Sequence, residues 1–186
     1  MKKAHLMIGS LLILFFITAC KEPAPSQLSR RADSLLQEID SLNHRIISAD
    51  LDSIQDQFTK ITSAHLFLSE NLEKFSDMDL NNELYLQLDS VARTIGLCLN
   101  ACHNFYSEIS VTENQLEMIR MEITEGEIPD STLSHKMAQE SILLQDLTER
   151  VMLRLEILQA QLNIYRDIQP DIERYVEQLS IKQPVE

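Results

Sequence analysis

From Leu84 to Ile123 the chain places apolar residues at alternating steps of four and three: Leu84, Leu88, Val91, Ile95, Cys98, Cys102, Phe105, Ile109, Thr112, Leu116, Ile119 and Ile123. Within that series only Thr112 is neither apolar nor cysteine. A strand would alternate with period two. Steps of four and three instead hold one stripe of a helix against a neighbouring helix along its whole length. The pattern predicts a helix over residues 80–125. Gly126 offers a C-terminal stop, Pro129 blocks continuation, and Asp130 is placed to cap the next helix.

The next segment carries the same signature through Met137, Ser141, Leu144, Thr148, Val151, Leu155, Leu158, Leu162, Tyr165, Gln169, Ile172, Val176 and Leu179. A second stripe of Leu143, Leu147, Ile157, Ile164 and Ile168 widens its apolar face and implies two neighbours. Pro170 removes a backbone donor and crowds the preceding turn, so it should kink or restart this helix near 166–169. Upstream, Leu28, Ala32, Leu35, Ile39, Leu42 and Ile46 form one run. Leu51, Ile54, Phe58, Ile61, His65, Leu68, Leu72 and Phe75 form another, out of phase by one residue. Either a bend at residues 48–53 starts a new helix, capped by Ser48 or Asp50, or one helix absorbs the slip. Matched lengths favour three rods, 28–75, 80–125 and 131–180, each about 70 Å long at about 1.5 Å per residue. The expected fold is all-α, an elongated antiparallel bundle whose architecture resembles a spectrin repeat. The alternative is four helices with a break near 48–53.

Ahead of the bundle domain, 28–182, lies a different kind of segment. Lys2 and Lys3 precede an almost wholly apolar run from Leu6 to Ala19. Its fourteen residues are too few to span a bilayer, which takes about 20, and match the hydrophobic region of a cleavable signal. Ile17-Thr18-Ala19-Cys20 resembles the lipobox of bacterial lipoproteins, with isoleucine where leucine is commonest. The resemblance implies that 1–19 is a signal peptide and that Cys20 is the lipid attachment site. Residues 20–27 would then be a tether, in which Pro23 and Pro25 prevent a helix from starting before Ser26. Several acyl chains together anchor a protein stably. Lys21 stands where aspartate would retain a lipoprotein at the inner membrane, so the expected location is the bacterial envelope, at the outer membrane, on its periplasmic face or at the cell surface.

Without the signal's two lysines, 14 Lys+Arg stand against 29 Asp+Glu, a net charge of −15. That excludes nucleic acid, which needs clustered positive charge. It also repels anionic head groups, so membrane contact is expected through the acyl chains. Tryptophan is absent, and glycine and proline are too few to punctuate a β-fold.

The candidate chemistry is sparse. Cys98-Leu-Asn-Ala-Cys102-His103 resembles a haem-attachment motif with one residue too many, and it offers a metal reading through Cys98, Cys102 and His103. Both cysteines sit on the helix seam, where two small core residues explain the spacing. Helical side chains four apart have Cβ atoms about 5–6 Å apart, too far for a disulfide's ~3.5–4.5 Å. Antiparallel register brings Ser53 and Gln57 from the first rod and Arg154 and Leu158 from the third to their level, and no histidine. His65, also on a seam, is level with Ser90 and Tyr165, and the Tyr165 hydroxyl is its expected partner. Asp77, Asp79, Asn81 and Glu83 imitate the start of a calcium loop. Asn82 replaces the turning glycine and Leu88 the bidentate acid, so a capped helix start is expected instead. No nucleophile signature or phosphate loop is present. The sequence therefore reads as no enzyme, with no cofactor, no small-molecule ligand and a protein partner.

Overall fold

A computed structural model describes residues 26–71 and 82–181. Four helices account for nearly all of them: α1 Gln27–Ser48, α2 Leu51–Glu70, α3 Asn82–Glu125 and α4 Asp130–Ile181. Both α1 and α2 pack on α3 and α4, so they act as successive halves of one rod beside two uninterrupted ones. The fold is the all-α bundle expected from the seams. The signal, Cys20, the tether before Ser26, the calcium-like stretch 77–81, and the seam positions Leu72 and Phe75 lie outside the described residues.

Most positions of the three seams are buried, while Phe58 and His65 on α2 and Ser141, Thr148, Leu155, Gln169 and Val176 on α4 are half-buried. On α3, Leu88, Ile95, Cys98, Cys102 and Leu116 are fully sealed, and Thr112 is buried with its hydroxyl donating to the Glu108 carbonyl at 3.0 Å. On α4, Met137, Leu144, Val151, Leu158, Ile172 and Leu179 are sealed. Each such aliphatic side chain contributes about 1.5–3 kcal/mol relative to exposure, which makes this continuous seam the main source of stability. The second stripe on α4 is only half realised. Leu147 is buried, while Leu143 and Ile164 are exposed, because α4 has two neighbours and that edge points past both.

The helix boundaries follow local chemistry. Ser26 caps α1 by accepting the Ser29 N–H at 3.1 Å. Gly126 ends α3 at φ +70°, a left-handed conformation suited to glycine, and donates to the Glu122 carbonyl. Asp130 is not the cap of α4. The Pro129 carbonyl accepts the Leu133 N–H at 3.2 Å, and Asp130 sits one residue inside, where its charge still meets the positive helix end. Of the kink or restart expected at Pro170, the restart does not occur, and α4 runs through the proline to Ile181.

The first rod is broken. Ala49 ends α1, and Asp50, at φ 50°, accepts the Ser53 N–H on its carboxylate at 3.4 Å to start α2. From Ile46 to Leu51 the buried spacing is five residues, and one surplus residue turns a helix by about 100°. A continuous helix could bury Ile46 or Leu51, not both. Ending one helix and starting another buries both, and of the two sequence alternatives at 48–53 this is the one realised.

Candidate functional site

Three places bring polar or reactive groups together. The first is the cysteine pair. Cys98 and Cys102 are free thiols, fully buried on the α3 seam. Burial pushes both thiols above their ordinary range, and at Cys102 the neighbouring Cys98 adds to it. The Arg154 guanidinium acts in the opposite sense on both. Arg154 is thus at the level where antiparallel register put it, and Leu158 is buried on the α4 seam. His103 is exposed on the outward side of α3, away from the sealed thiols. Thiolates are the nucleophilic and metal-binding form, so raised thiols are poor at either task. Among the described residues no three His, Cys, Asp or Glu side chains gather closely enough to hold a metal ion.

The second place surrounds His65, where the structure corrects the expected partner. The ring stacks on Tyr85 with centroids 5.3 Å apart, and Nε2 lies 3.2 Å from Asp89 Oδ1. That nitrogen is buried and makes no hydrogen bond with the carboxylate or with any other group among the described residues. Asp89 also receives Arg93 at 2.9 Å. Tyr165 is buried elsewhere, its phenol pushed up by burial and then by Glu173. The seam arithmetic found the right level on α3. It misassigned the neighbour because α2 at this level turns His65 toward α3 and away from α4.

The third place ties α3 to α4 from outside. Arg150 grips Glu108 with two hydrogen bonds, 2.6 and 3.2 Å, takes Asp146 at 2.8 Å and lies over Phe105 at 5.6 Å. Those bonds, led by Glu108, raise its already high pKa. Lys136 donates to both oxygens of Glu122. Forked arginine geometry is the stronger kind of surface pair, yet these side chains are nearly half exposed and water screens them, so each contributes at most about 1 kcal/mol. Their value is register, since they fix which turn of α4 meets which turn of α3. Nothing short-range in the sequence signals them, as Glu108 and Arg150 are 42 residues apart.

Two shallow grooves, of ≈ 230 Å³ between α1 and α4 and ≈ 260 Å³ between α3 and α4, fall below the ~300–1,000 Å³ of ordinary ligand sites. On α4, Glu140 has a buried carboxylate oxygen without a hydrogen-bond partner among the described residues, and burial raises its pKa. No helix among the described residues is long and apolar enough to cross a membrane. No protein-family model, curated protein or solved structure matches this chain.

Proposed function

We propose that this chain is a lipid-anchored bacterial envelope protein whose bundle binds another protein, as an adaptor or an accessory subunit of an envelope assembly. The observation that carries the anchor is Ile17-Thr18-Ala19-Cys20 at the end of a fourteen-residue apolar run behind two lysines. Acyl chains on Cys20 attach it to the membrane, at the outer membrane on this reading. The bundle supports the second half of the proposal. It spends its length on sealed seams, and the grooves between its helices at Leu42 and at Phe105 are shallow.

The anchor is tested by labelling cells with radioactive palmitate. Wild-type protein should take up label and fractionate with membranes, whereas Cys20→Ala should be unlabelled. Equal labelling of the two would end the lipoprotein reading. The partner is tested by cross-linking in intact envelopes followed by capture. A single stoichiometric envelope protein, absent from a control bundle of the same charge, is the expected result.

A further inference from the structure

Two buried side-chain atoms among the described residues have no hydrogen-bond partner, His65 Nε2 and Glu140 Oε2. They differ in what stands beside them. His65 has the Asp89 carboxylate at 3.2 Å, whereas no opposite charge among the described residues compensates Glu140. Its place on α4 makes that costly. Leu133, Met137, Glu140, Leu144, Leu147 and Val151 follow one another at steps of four and three, and the five apolar members are each exposed by 2% or less. Glu140 therefore stands at a core position, where leucine or methionine would complete the stripe. The bases that could neutralise it are committed elsewhere. Lys136, one turn earlier on α4, donates to both oxygens of Glu122 on α3. Arg120 on α3 pairs with Glu117 at 2.7 Å. α1 runs alongside α4 with Arg45 at Met152, so its earlier turns lie nearest Glu140, and there Arg30, Arg31, Asp33, Glu38 and Asp40 are all exposed. α2 packs on the other half of α3, through Phe58 at Gly96 and His65 at Asp89. Burial alone acts on the Glu140 carboxyl, and it acts upward.

We infer that Glu140 is a proton-sensitive element of the α3–α4 seam: the bundle around Leu144 tightens when Glu140 takes up a proton and loosens when it ionises. An ionised carboxylate without a partner is costly in a dry seam, and the neutral acid is far less so. The sign follows from the two states. In the unfolded chain the carboxyl gives up its proton near the ordinary value of about 4.3, and in the folded chain it holds the proton to higher pH. This contribution is therefore most favourable below the unfolded value, and it is lost as pH rises through the folded one. A leucine at this position would hold the seam at every pH. The acid makes that hold depend on proton concentration.

Urea denaturation of full-length protein in mild detergent, at a series of values from about pH 8 to about pH 5, tests this. Glu140→Gln is a neutral mimic of the protonated acid, and Glu140→Leu completes the apolar stripe. At about pH 7.5 each should lower the unfolding equilibrium constant by about tenfold, the factor that a tenfold change in proton affinity carries. For Glu140→Gln the gap to wild type should narrow toward about pH 5. Glu156→Gln removes the same charge from an exposed site on α4 and should track wild type, which separates the seam from the general self-repulsion of an acidic chain. Amide protection from Met137 to Leu147, corrected for intrinsic exchange, should rise on acidification in wild type and stay level in Glu140→Leu. Glu140 variants no more stable than wild type at neutral pH, a gap that does not narrow on acidification, or an equal effect of Glu156→Gln would each overturn the inference.

Discussion

Around Ala49 and Asp50 a helix ends although neither glycine nor proline is present. At Pro170 a helix continues through the residue least suited to it. The difference lies in the seams. Across Pro170 the buried positions Leu158, Leu162, Tyr165, Ile172 and Leu179 keep one phase, so a single continuous helix buries them all. Across Ala49 the phase slips by one residue, and no continuous helix can bury both sides. Proline in a helix interior costs about 3 kcal/mol. Exposing two or three seam residues costs as much or more. Tertiary phase, not local propensity, decides where these helices break.

The sharpest way to break that comparison is to create a slip where none exists. Inserting one alanine after Tyr165 should rotate Ile172 and Leu179 off the seam and cost about 3–6 kcal/mol, the loss of two buried aliphatic side chains. Chemical denaturation would measure it, and limited proteolysis should find a new cleavable site near Pro170. A cost under about 1 kcal/mol would mean that phase does not hold α4 together. The converse change is Pro170→Ala, which restores the backbone donor to the Arg166 carbonyl. It should stabilise by about 2 kcal/mol, the interior proline penalty less the loosening of the unfolded chain. A lower melting temperature would show that the proline is needed for the path of α4.

Much of this was legible in the sequence, because repeating seams declare themselves over many turns. Every position of the α3 seam from Leu88 to Ile119 is buried. What was less legible depended on one residue or on a distant partner. The slip at Ile46 was visible, but spacing alone could not decide between a break and local rewinding. That choice turned on Asp50, whose short acid both tolerates φ 50° and caps α2. The His65 environment was misread because seam arithmetic fixes a level along the bundle and leaves open which neighbour a side chain faces. Gly96 shows the same limit. It looks like a weak spot inside α3, yet a Cβ there would come within 3.1 Å of the Phe58 ring, so the glycine admits a large aromatic from α2.

Asp50 sharpens the comparison at the break itself. Asp50→Ala loses the cap and leaves an ordinary residue in the left-handed region, for a cost of about 1–2 kcal/mol. Asp50→Gly should lose only a few tenths, since glycine accepts the conformation and serves fairly as a cap. Equal costs for the two variants, measured by urea denaturation, would mean that the conformation of Asp50 contributes nothing.

The smallest expected effect comes from the unbroken seam, where Cys98 and Cys102 occupy positions that leucine fills elsewhere on α3. If phase alone explains them, each Cys→Ala should cost about 1 kcal/mol, below the ~2–5 of a buried leucine truncated to alanine. Protonation adds a second signature. Burial raises both thiols above their unfolded values, so below about pH 8.5 folded and unfolded chains hold the same protons and stability is flat. As pH rises past that value the unfolded thiols ionise while the buried ones do not, and wild type should lose stability with increasing pH. The Cys98→Ala/Cys102→Ala variant lacks these two thiols and should show a shallower alkaline loss, starting from a slightly lower plateau. Denaturation at a series of pH values separates the two curves. A double variant that fails to fold while Leu88→Ala survives would show that the thiols do more than pack. So would stoichiometric copper, zinc or iron in untagged wild type that disappears with them. Either result would move a metal-binding reading of Cys98 and Cys102 ahead of the packing one.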